Sequence, residues 1–347
     1  MPQNIIYSNN ISETLKLVLK NVEYSSSVIL CDTNTERYCL PLLKLNIKTI
    51  VISEGESNKN LKTATLIWNK MDDSGMDRNS CLINLGGGMV SDIGGFCAAT
   101  YKRGIDFINI PTTLLAQTDA SIGGKVGINL EKKKNHIGVF KESRHVIVDG
   151  AFLKTLPERQ LLSGYAEMLK HAIIKGGSFW NELEFEKLKS DIKLDLIKSS
   201  AKLKLEISNQ DIGETGIRKV LNLGHSIGHI IESYGIENKN RFRFHGEAIS
   251  EGIIVESIIS NILGKLLNTD LERIIDKISY DFNIETINKN LKSYIIKNLI
   301  HDKKNISGNI LMSLPVEIGK VTHDIVVNLN IVEKAIEKFN SVISNKY

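Results

Sequence analysis

CLINLGGGMVSDIGGFCAATYKRGIDFINIPTTLLAQTDASIGGKVGIN, residues 81–129, is the stretch that decides the fold. It holds two apolar runs, Leu82–Leu85 and Phe107–Ile110, each long enough for a buried strand. Gly86, Gly87 and Gly88 follow the first, and Pro111, Thr112 and Thr113 follow the second. A glycine cluster between a buried strand and a helix lets backbone N–H groups approach a phosphate, and a helix N-terminus favours negative charge. The stretch therefore predicts a nucleotide site. Its glycines do not follow G-x-G-x-x-G, so the usual dinucleotide fingerprint is absent.

Outward from this centre, residues 1–150 alternate strand-like and helix-like patterns. Val28–Leu30, Ile47–Ile52 and Val146–Val148 read as strands. Ile11–Lys20, Thr35–Leu45, Leu61–Met71 and Val90–Tyr101 read as helices, with Pro41 either in the first turn of its helix or breaking it. Such alternation predicts a mostly parallel sheet covered on both faces, with ligands beyond the carboxyl ends of its strands. Asp32, Glu54, Gly86–Gly88 and Thr112–Thr113 all follow strand ends. From about Ala151 the period becomes helical, in Glu158–Lys175, Asp195–Ile207, His225–Tyr234, Gly246–Leu267 and Asp270–Tyr280. Glu251 and Glu256 are expected on the polar face of the fourth of these. The boundary is placed at 150, with an α/β domain over 1–150 and an all-α domain over 151–347.

A chain of 347 residues accommodates two domains. Lys and Arg number 44 against 40 Asp and Glu, and the basic residues are scattered, which argues against nucleic acid as a partner. The four cysteines, Cys31, Cys39, Cys81 and Cys97, form no C-x-x-C pair and are expected to be buried and reduced. MPQNIIYSNN lacks the pattern of a secretory signal, and no run reaches the ~18 apolar residues of a membrane span. No membrane partner and a cytoplasmic location are the expectation.

LNLGHSIGHIIE places His225 and His229 four apart on one helix face, and His245 follows in HGEA. Singly, each is an ordinary polar helix residue; together they suggest a divalent metal. A catalytic zinc typically takes three protein ligands, and Glu167 in GYAEMLKHAIIK, on an otherwise apolar helix, is a candidate carboxylate partner. Ser226, Ile227 and Gly228 separate the histidines, so the H-E-x-x-H metalloprotease motif is absent. Among the cations Arg103, Lys125, Lys134, Lys170, Lys204, Arg218, Lys303 and Lys304, Lys125 stands out. It and Asp119 sit among small residues beside a glycine turn, where they suit a polar anionic substrate. Lys132 and Lys133 read as a solvated loop.

These residues resemble the 3-dehydroquinate synthases of aromatic biosynthesis, in the sugar phosphate cyclase superfamily. The resemblance spans roughly residues 30–320. EGESNK, GGGMVSDIGGFCAATYKRG, KNHIGVF, LKTLPERQ, GYAEMLKHAI, LNLGHSIGHIIE, HGEA and HDKKN carry it, and PTTLLAQ-x-DASIGGK-x-G-x-N is its most specific element. It implies a Rossmann-like α/β NAD-binding domain joined to a helical metal-binding domain, a homodimer, and a fold shared with glycerol dehydrogenase-like enzymes. The implied metal ligands, for zinc or cobalt, are Glu167, His225 and His245, with His229 moved to the substrate side. Implied NAD contacts are Asp32, Glu54, Lys59, Gly88, Met89, Val90, Ser91, Asp92, Thr112, Thr113, Lys125, Lys134, Phe152, Leu153, Lys154 and Thr155.

Asp119, Lys125, Lys170, Lys204, Glu214, Arg218, Asn222 and His229 are the implied catalytic group. Asn135, Lys303, Lys304 and a neighbouring subunit's Arg103 complete the substrate contacts. The implied reaction is that of a carbon–oxygen lyase, converting the seven-carbon sugar-acid phosphate DAHP to 3-dehydroquinate and phosphate. NAD transiently oxidises the C5 hydroxyl, phosphate is eliminated, NADH returns the hydride, and an aldol closure forms the ring; the phosphate itself can serve as the base. A related cyclitol-forming cyclase and, more remotely, a metal- and NAD-dependent polyol dehydrogenase are the competing readings. The family's Gln-Pro after KN-x-x-G-x-F is Glu142-Ser143 here, and its threonine after the first histidine is Ser226.

Overall fold

A computed structural model describes residues 3–131, 133–185, 188, 192–238, 243–300 and 310–346. The chain divides into two compact units, Met1–Leu161 with Ser190–Ile197, and Leu162–Lys189 with Lys198–Tyr347. The elements of the first are β1 (Asn4–Ser8), α1 (Ile11–Asn21), β2 (Ser27–Asp32), α2 (Thr33–Tyr38), α3 (Leu40–Leu43), β3 (Lys48–Ile52), α4 (Leu61–Asp73), β4 (Cys81–Gly86), α5 (Gly88–Thr100), β5 (Asp106–Pro111), β6 (Lys125–Leu130), β7 (Lys133–Phe140) and β8 (His145–Asp149).

Six of these strands form a sheet in the order β1-β8-β5-β4-β2-β3, and every pairing is parallel. Alternate residues of each strand go to opposite faces. Leu30, Leu82 and Phe107 join Ile67 of α4 and Ile93 of α5 in one core, while Cys31, Ile83 and Ile108 join Leu15 of α1 and Leu43 of α3 in the other. Because both faces are covered, the interiors of the central strands are mainly apolar, with the buried Asn84 of β4 hydrogen-bonded to Asn109 of β5. All four cysteines are buried free thiols, as expected. β2 leads outward to β3, whereas β4 leads the other way to β5, so the sheet reverses direction between β2 and β4. Such a switch point opens a crevice at the carboxyl ends of the two strands, here flanked by Asp32 and Gly86–Gly88.

Glycines in α5 set its depth on the sheet. A Cβ at Gly94 would lie 2.0 Å from Asn84 Oδ1, and one at Gly95 would lie 2.4 Å from Val126 of β6. Asn84 cannot yield freely, because it is buried and its Nδ2 donates to Asn109 Oδ1 at 2.9 Å.

Several expectations change in detail. The single helix over Thr35–Leu45 is two, parted at Cys39, with Pro41 in the first turn of α3. Lys133 opens β7 instead of lying in a loop, and Lys132 lies outside the described residues. β1 is an additional strand, paired in parallel with β8. Gln3 anchors its start, donating from Nε2 to Ser143 Oγ at 2.8 Å and accepting from Gly123 N–H at 3.0 Å. The Gln3 N–H also donates to Glu142 at 3.2 Å, so Glu142 and Ser143, which stand in place of the expected Gln-Pro, both pin the N-terminal strand.

The second unit contains most of α6 (Glu158–Lys175), α7 (Gly177–Phe185), most of α8 (Leu194–Gln210), α9 (His225–Glu237), α10 (His245–Ile262), α11 (Asn268–Asp281), α12 (Lys289–Ile300), β9 (Ile310–Glu317), β10 (Lys320–Val327) and α13 (Leu329–Lys346). It is helical, as expected, and adds the antiparallel β9–β10 hairpin. α10 is no amphipathic helix. Gly246 and every residue from Ala248 to Ser260 are buried, Glu251 and Glu256 included, so the expected polar face does not exist. Glu251 instead meets Arg243 at 3.1 Å. No helix among the described residues is long and apolar enough to cross a membrane.

Gly94→Ala is expected to destabilise the protein by about 1–3 kcal/mol, the usual cost of overpacking a filled core. Urea unfolding checks this, and an unchanged midpoint would contradict the packing described.

Candidate functional site: a histidine–carboxylate cluster and a phosphate-cradle turn

Three helices supply the cluster. Ser163, Glu167 and Lys170 lie on one face of α6, at helical spacings of four and three. α10 begins at His245, and its entry is fixed twice. Glu247 accepts the Phe244 N–H at 2.9 Å, and Ser163 Oγ accepts the Gly246 N–H at 3.1 Å. A Cβ on Gly246 would fall 2.4 Å from Ser163 Cα, so glycine alone lets His245 sit this close to α6. α9 begins at His225 after Gly224, and Glu256 of α10 accepts the Gly224 and Ile227 N–H groups at 2.5 and 3.1 Å.

The result is that Glu167 Oε1 lies 3.3 Å from His245 Nε2 and 3.6 Å from His225 Nε2. Glu167 is buried, and its other oxygen pairs with the buried Lys170 ammonium. Each histidine is held from behind. His225 Nδ1 lies 3.0 Å from the Leu223 carbonyl, and His245 Nδ1 lies 3.4 Å from Glu232 Oε2. With Nδ1–H donating to those oxygens, each Nε2 presents a lone pair toward Glu167 Oε1. Lone pairs facing a carboxylate oxygen at this range need a cation or a proton between them. Two imidazoles and one carboxylate are a donor set suited to a divalent transition metal, and the three can hold one.

Burial, aided by the Lys170 charge, drives the His225 pKa well below the ordinary value. Burial also opposes charge on His245, but its bonds to Glu167 and Glu232 outweigh that and raise it to about 9. His229 is exposed and belongs to a second grouping, with Glu232 and His245. Spacing alone left His225 and His229 equivalent; the fold brings only His225 to Glu167 in these groupings. Glu232 is a further member that the histidine spacing does not pick out, although its place three residues after His229 in GHIIE puts it on the same face.

α6, α8 and the 3₁₀ helix Ile217–Asn222 pack through Ile174, Leu203, Ile207, Val220 and Leu221. They carry the buried cations Lys170, Lys204 and Arg218. Burying three cations is costly unless anions meet them. Asp211 shapes the approach to Arg218, accepting the Thr215, Gly216 and Arg218 N–H groups at 3.0, 2.8 and 3.0 Å. Within this loop Glu214 accepts from Asn222 Nδ2 at 2.8 Å. Ser313 of β9 donates to the Lys219 carbonyl at 2.7 Å, so the unexpected hairpin braces the segment bearing Arg218 and Asn222. Lys303 and Lys304 lie outside the described residues.

In the first unit the glycine turn stands as expected, with Gly86 ending β4, Gly87 as N-cap and Gly88 opening α5. A Cβ on Gly87 would meet Thr113 Cγ2 at 2.9 Å, and the Thr112 N–H donates to Gly86 at 3.0 Å, so the turns after β4 and β5 are joined. Gly88, Met89 and Asp92 are half-buried, whereas Val90 and Ser91 are buried. Lys59 is buried between Glu56 at 2.8 Å and Asp92 at 2.9 Å. Burial opposes its charge, yet those carboxylates raise its pKa; burial raises Asp92 to about 6 against the pull of Lys59.

Asp32 caps α2 through the Thr35 N–H at 2.8 Å, and exposed Glu54 pairs with Thr33. Asp119 lies on the π-helical turn Ala116–Ala120, Lys125 is exposed at the start of β6, and Lys134 and Asn135 are exposed on β7. Phe152 and Leu153 are buried, Phe152 within the sheet core, while Lys154 and Thr155 are exposed. Arg103 is exposed in a turn where Lys102, Arg103 and Gly104 all have positive φ.

Residues 49–163 match the family model of the 3-dehydroquinate synthase N-terminal region, and residues 164–305 match that of its C-terminal region. The chain belongs to the 3-dehydroquinate synthase family. It is 36% identical to the 3-dehydroquinate synthase of Parabacteroides distasonis over 327 residues, 92% of each chain. It is 43% identical to that of Buchnera aphidicola over 295 residues, 82% of this chain and 81% of that one.

Among solved structures, the fold is similar to a 2-epi-5-epi-valiolone synthase from Streptomyces hygroscopicus with NAD+ and Zn2+ bound. The TM-score is 0.86 at 24% identity, covering 99% of this chain and 98% of that one. It is also similar to a 2-deoxy-scyllo-inosose synthase complexed with carbaglucose-6-phosphate, NAD+ and Co2+, with a TM-score of 0.84 at 22% identity and 96% of each chain covered. A probable glycerol dehydrogenase from Sinorhizobium meliloti shares the fold at a TM-score of 0.69 and 14% identity, covering 99% of this chain and 98% of that one.

A cation entering this cluster must displace the His245 proton, whereas His225 is already neutral. Below about pH 9, zinc uptake by the family member is therefore expected to release a proton and to tighten as pH rises. Calorimetry in buffers of different ionisation enthalpy checks this. Uptake that releases no proton at pH 7 would contradict it.

Proposed function

We propose that the protein is a cytoplasmic, homodimeric 3-dehydroquinate synthase that converts DAHP to 3-dehydroquinate and phosphate. The observation that carries this, beside family membership, is the meeting of His225 and His245 on one oxygen of Glu167. Residues 1–150 serve as the NAD-binding domain and 151–347 as the metal- and substrate-binding domain. When bound, NAD supplies reversible oxidation at the C5 carbinol, and zinc or cobalt supplies polarisation of its oxygen.

The chain's own residues hold and orient the reactants. Glu167, His225 and His245 hold the metal. Amides at the start of α5, from Gly88 to Asp92, lie at the sheet's switch point and face the cofactor phosphates, as the helix N-terminus favours. Thr112, Thr113, Asp32, Glu54, Lys59, Lys125, Lys134 and the segment Phe152–Thr155 complete the cofactor side. Several of these also have plain structural duties, since Asp32 caps α2 and Phe152 fills the core.

On the substrate side, Lys170, Lys204 and Arg218 offer buried positive charge to a carboxylate and a phosphate, and the Arg218 fork suits the carboxylate. Asn222 and Glu214, already hydrogen-bonded, orient hydroxyls, and exposed His229 moves protons. Asp119, Lys125, Asn135, Lys303 and Lys304 add contacts, and the strained Lys102–Gly104 turn extends Arg103 toward a second subunit.

Purified protein given DAHP, catalytic NAD and Zn2+ is expected to release phosphate and dehydroquinate in equal amounts with no net NADH. No phosphate from DAHP, together with stoichiometric NADH from a polyol, would sink the proposal. His245→Ala is expected to reduce metal-dependent phosphate release to background. Arg218→Lys, which keeps the charge but not the fork, is expected to lower kcat/KM by about 10- to 100-fold. Full activity in either variant would refute the role assigned to that residue.

A further inference from the structure

We propose that Glu256, a residue outside the metal and substrate contacts, is a positioning residue that presets His225 for the metal; this rests on the function proposed above. Glu256 is fully buried in the middle of α10. A buried carboxylate is costly unless its oxygens are met by donors. Its Oε2 accepts the Gly224 N–H at 2.5 Å and its Oε1 the Ile227 N–H at 3.1 Å. Those amides belong to the first turn of α9, whose N-cap is Gly224, with no side chain to do the capping. The cap therefore comes from the neighbouring helix, and its negative charge sits at the positive end of α9.

Two glycines permit this. A Cβ on Gly252, one turn before Glu256, would lie 2.1 Å from the Gly224 carbonyl oxygen. Gly224 itself has φ +81°, and a Cβ there would lie 2.5 Å from Ile253. The contact sets both the height and the rotation of α9 at its first residue. That residue is His225, and the Leu223 carbonyl that meets its Nδ1 lies just before the capped turn. Moving this turn moves the ring and its anchor together. Glu256 thus acts on Nε2 through the backbone, without touching the imidazole.

Glu256→Gln tests the assignment. Glutamine keeps the shape but offers one accepting oxygen and turns an NH2 toward a second donor. Zinc affinity of the metal-free, full-length protein, measured by competition with a chelator of known affinity, is expected to fall about 10- to 100-fold. The accompanying loss of kcat should be restored at saturating zinc. A purely structural role would lower the melting temperature and leave zinc affinity alone, so wild-type affinity in the variant overturns the inference. Wild-type protein that takes up no zinc would instead overturn the proposed function. Should the variant not fold, amide hydrogen exchange on metal-free wild-type protein decides. Protected Gly224 and Ile227 amides support a preset turn, and exchange at the unstructured rate overturns it.

Discussion

The close approach of α9 to α10 is the constraint on which the histidine–carboxylate cluster depends. Gly252 brings one helix onto the Gly224 carbonyl of the other, where a methyl group would sit 2.1 Å away. A similar economy acts at Gly246, which lets the first turn of α10 rest on Ser163 of α6. Glu167 is one turn beyond Ser163 on the same helix face. Small residues at two crossings therefore bring three polar side chains from three helices to one point. The cost of burying a carboxylate among apolar helices is offset by Lys170 on one side and by histidines on the other.

The first unit uses the same device for a different end. Gly94 and Gly95 let α5 lie deep against β4 and β6, which fixes where its N-terminal amides open beyond the sheet. The turn after β4 is joined to the turn after β5 through Gly86, Gly87, Thr112 and Thr113. Lys59 ties Glu56, in the loop after β3, to Asp92 in the first turn of α5. The elements around the reversal of strand order are thus cross-linked by polar contacts at their carboxyl ends, where a parallel sheet binds its ligands.

Much of this was legible in the residues. Strong patterning placed β4, β5, α6 and α11 within a few positions, because buried strands, a long buried helix and an amphipathic helix carry their signal locally. Spacing brought His225, His229 and His245 to notice, and family resemblance selected among them. What remained hidden depends on partners distant in sequence. Glu251 and Glu256 look like a solvated face in a helical pattern, and only the neighbouring Arg243 and the start of α9 explain their burial. The β9–β10 hairpin was obscured by Pro315 inside its first strand. Glu232 was visible at helical spacing but gained meaning only once His245 lay beside it.

The cluster offers two overlapping donor groupings that share His245, one with Glu167 and His225, the other with His229 and Glu232. Anomalous diffraction at the zinc edge from crystals of the zinc-loaded protein separates them directly. A single peak bounded by Glu167 Oε1, His225 Nε2 and His245 Nε2 is the predicted result. A peak bounded by His229, Glu232 and His245 instead, or no ordered zinc at either position, would contradict it.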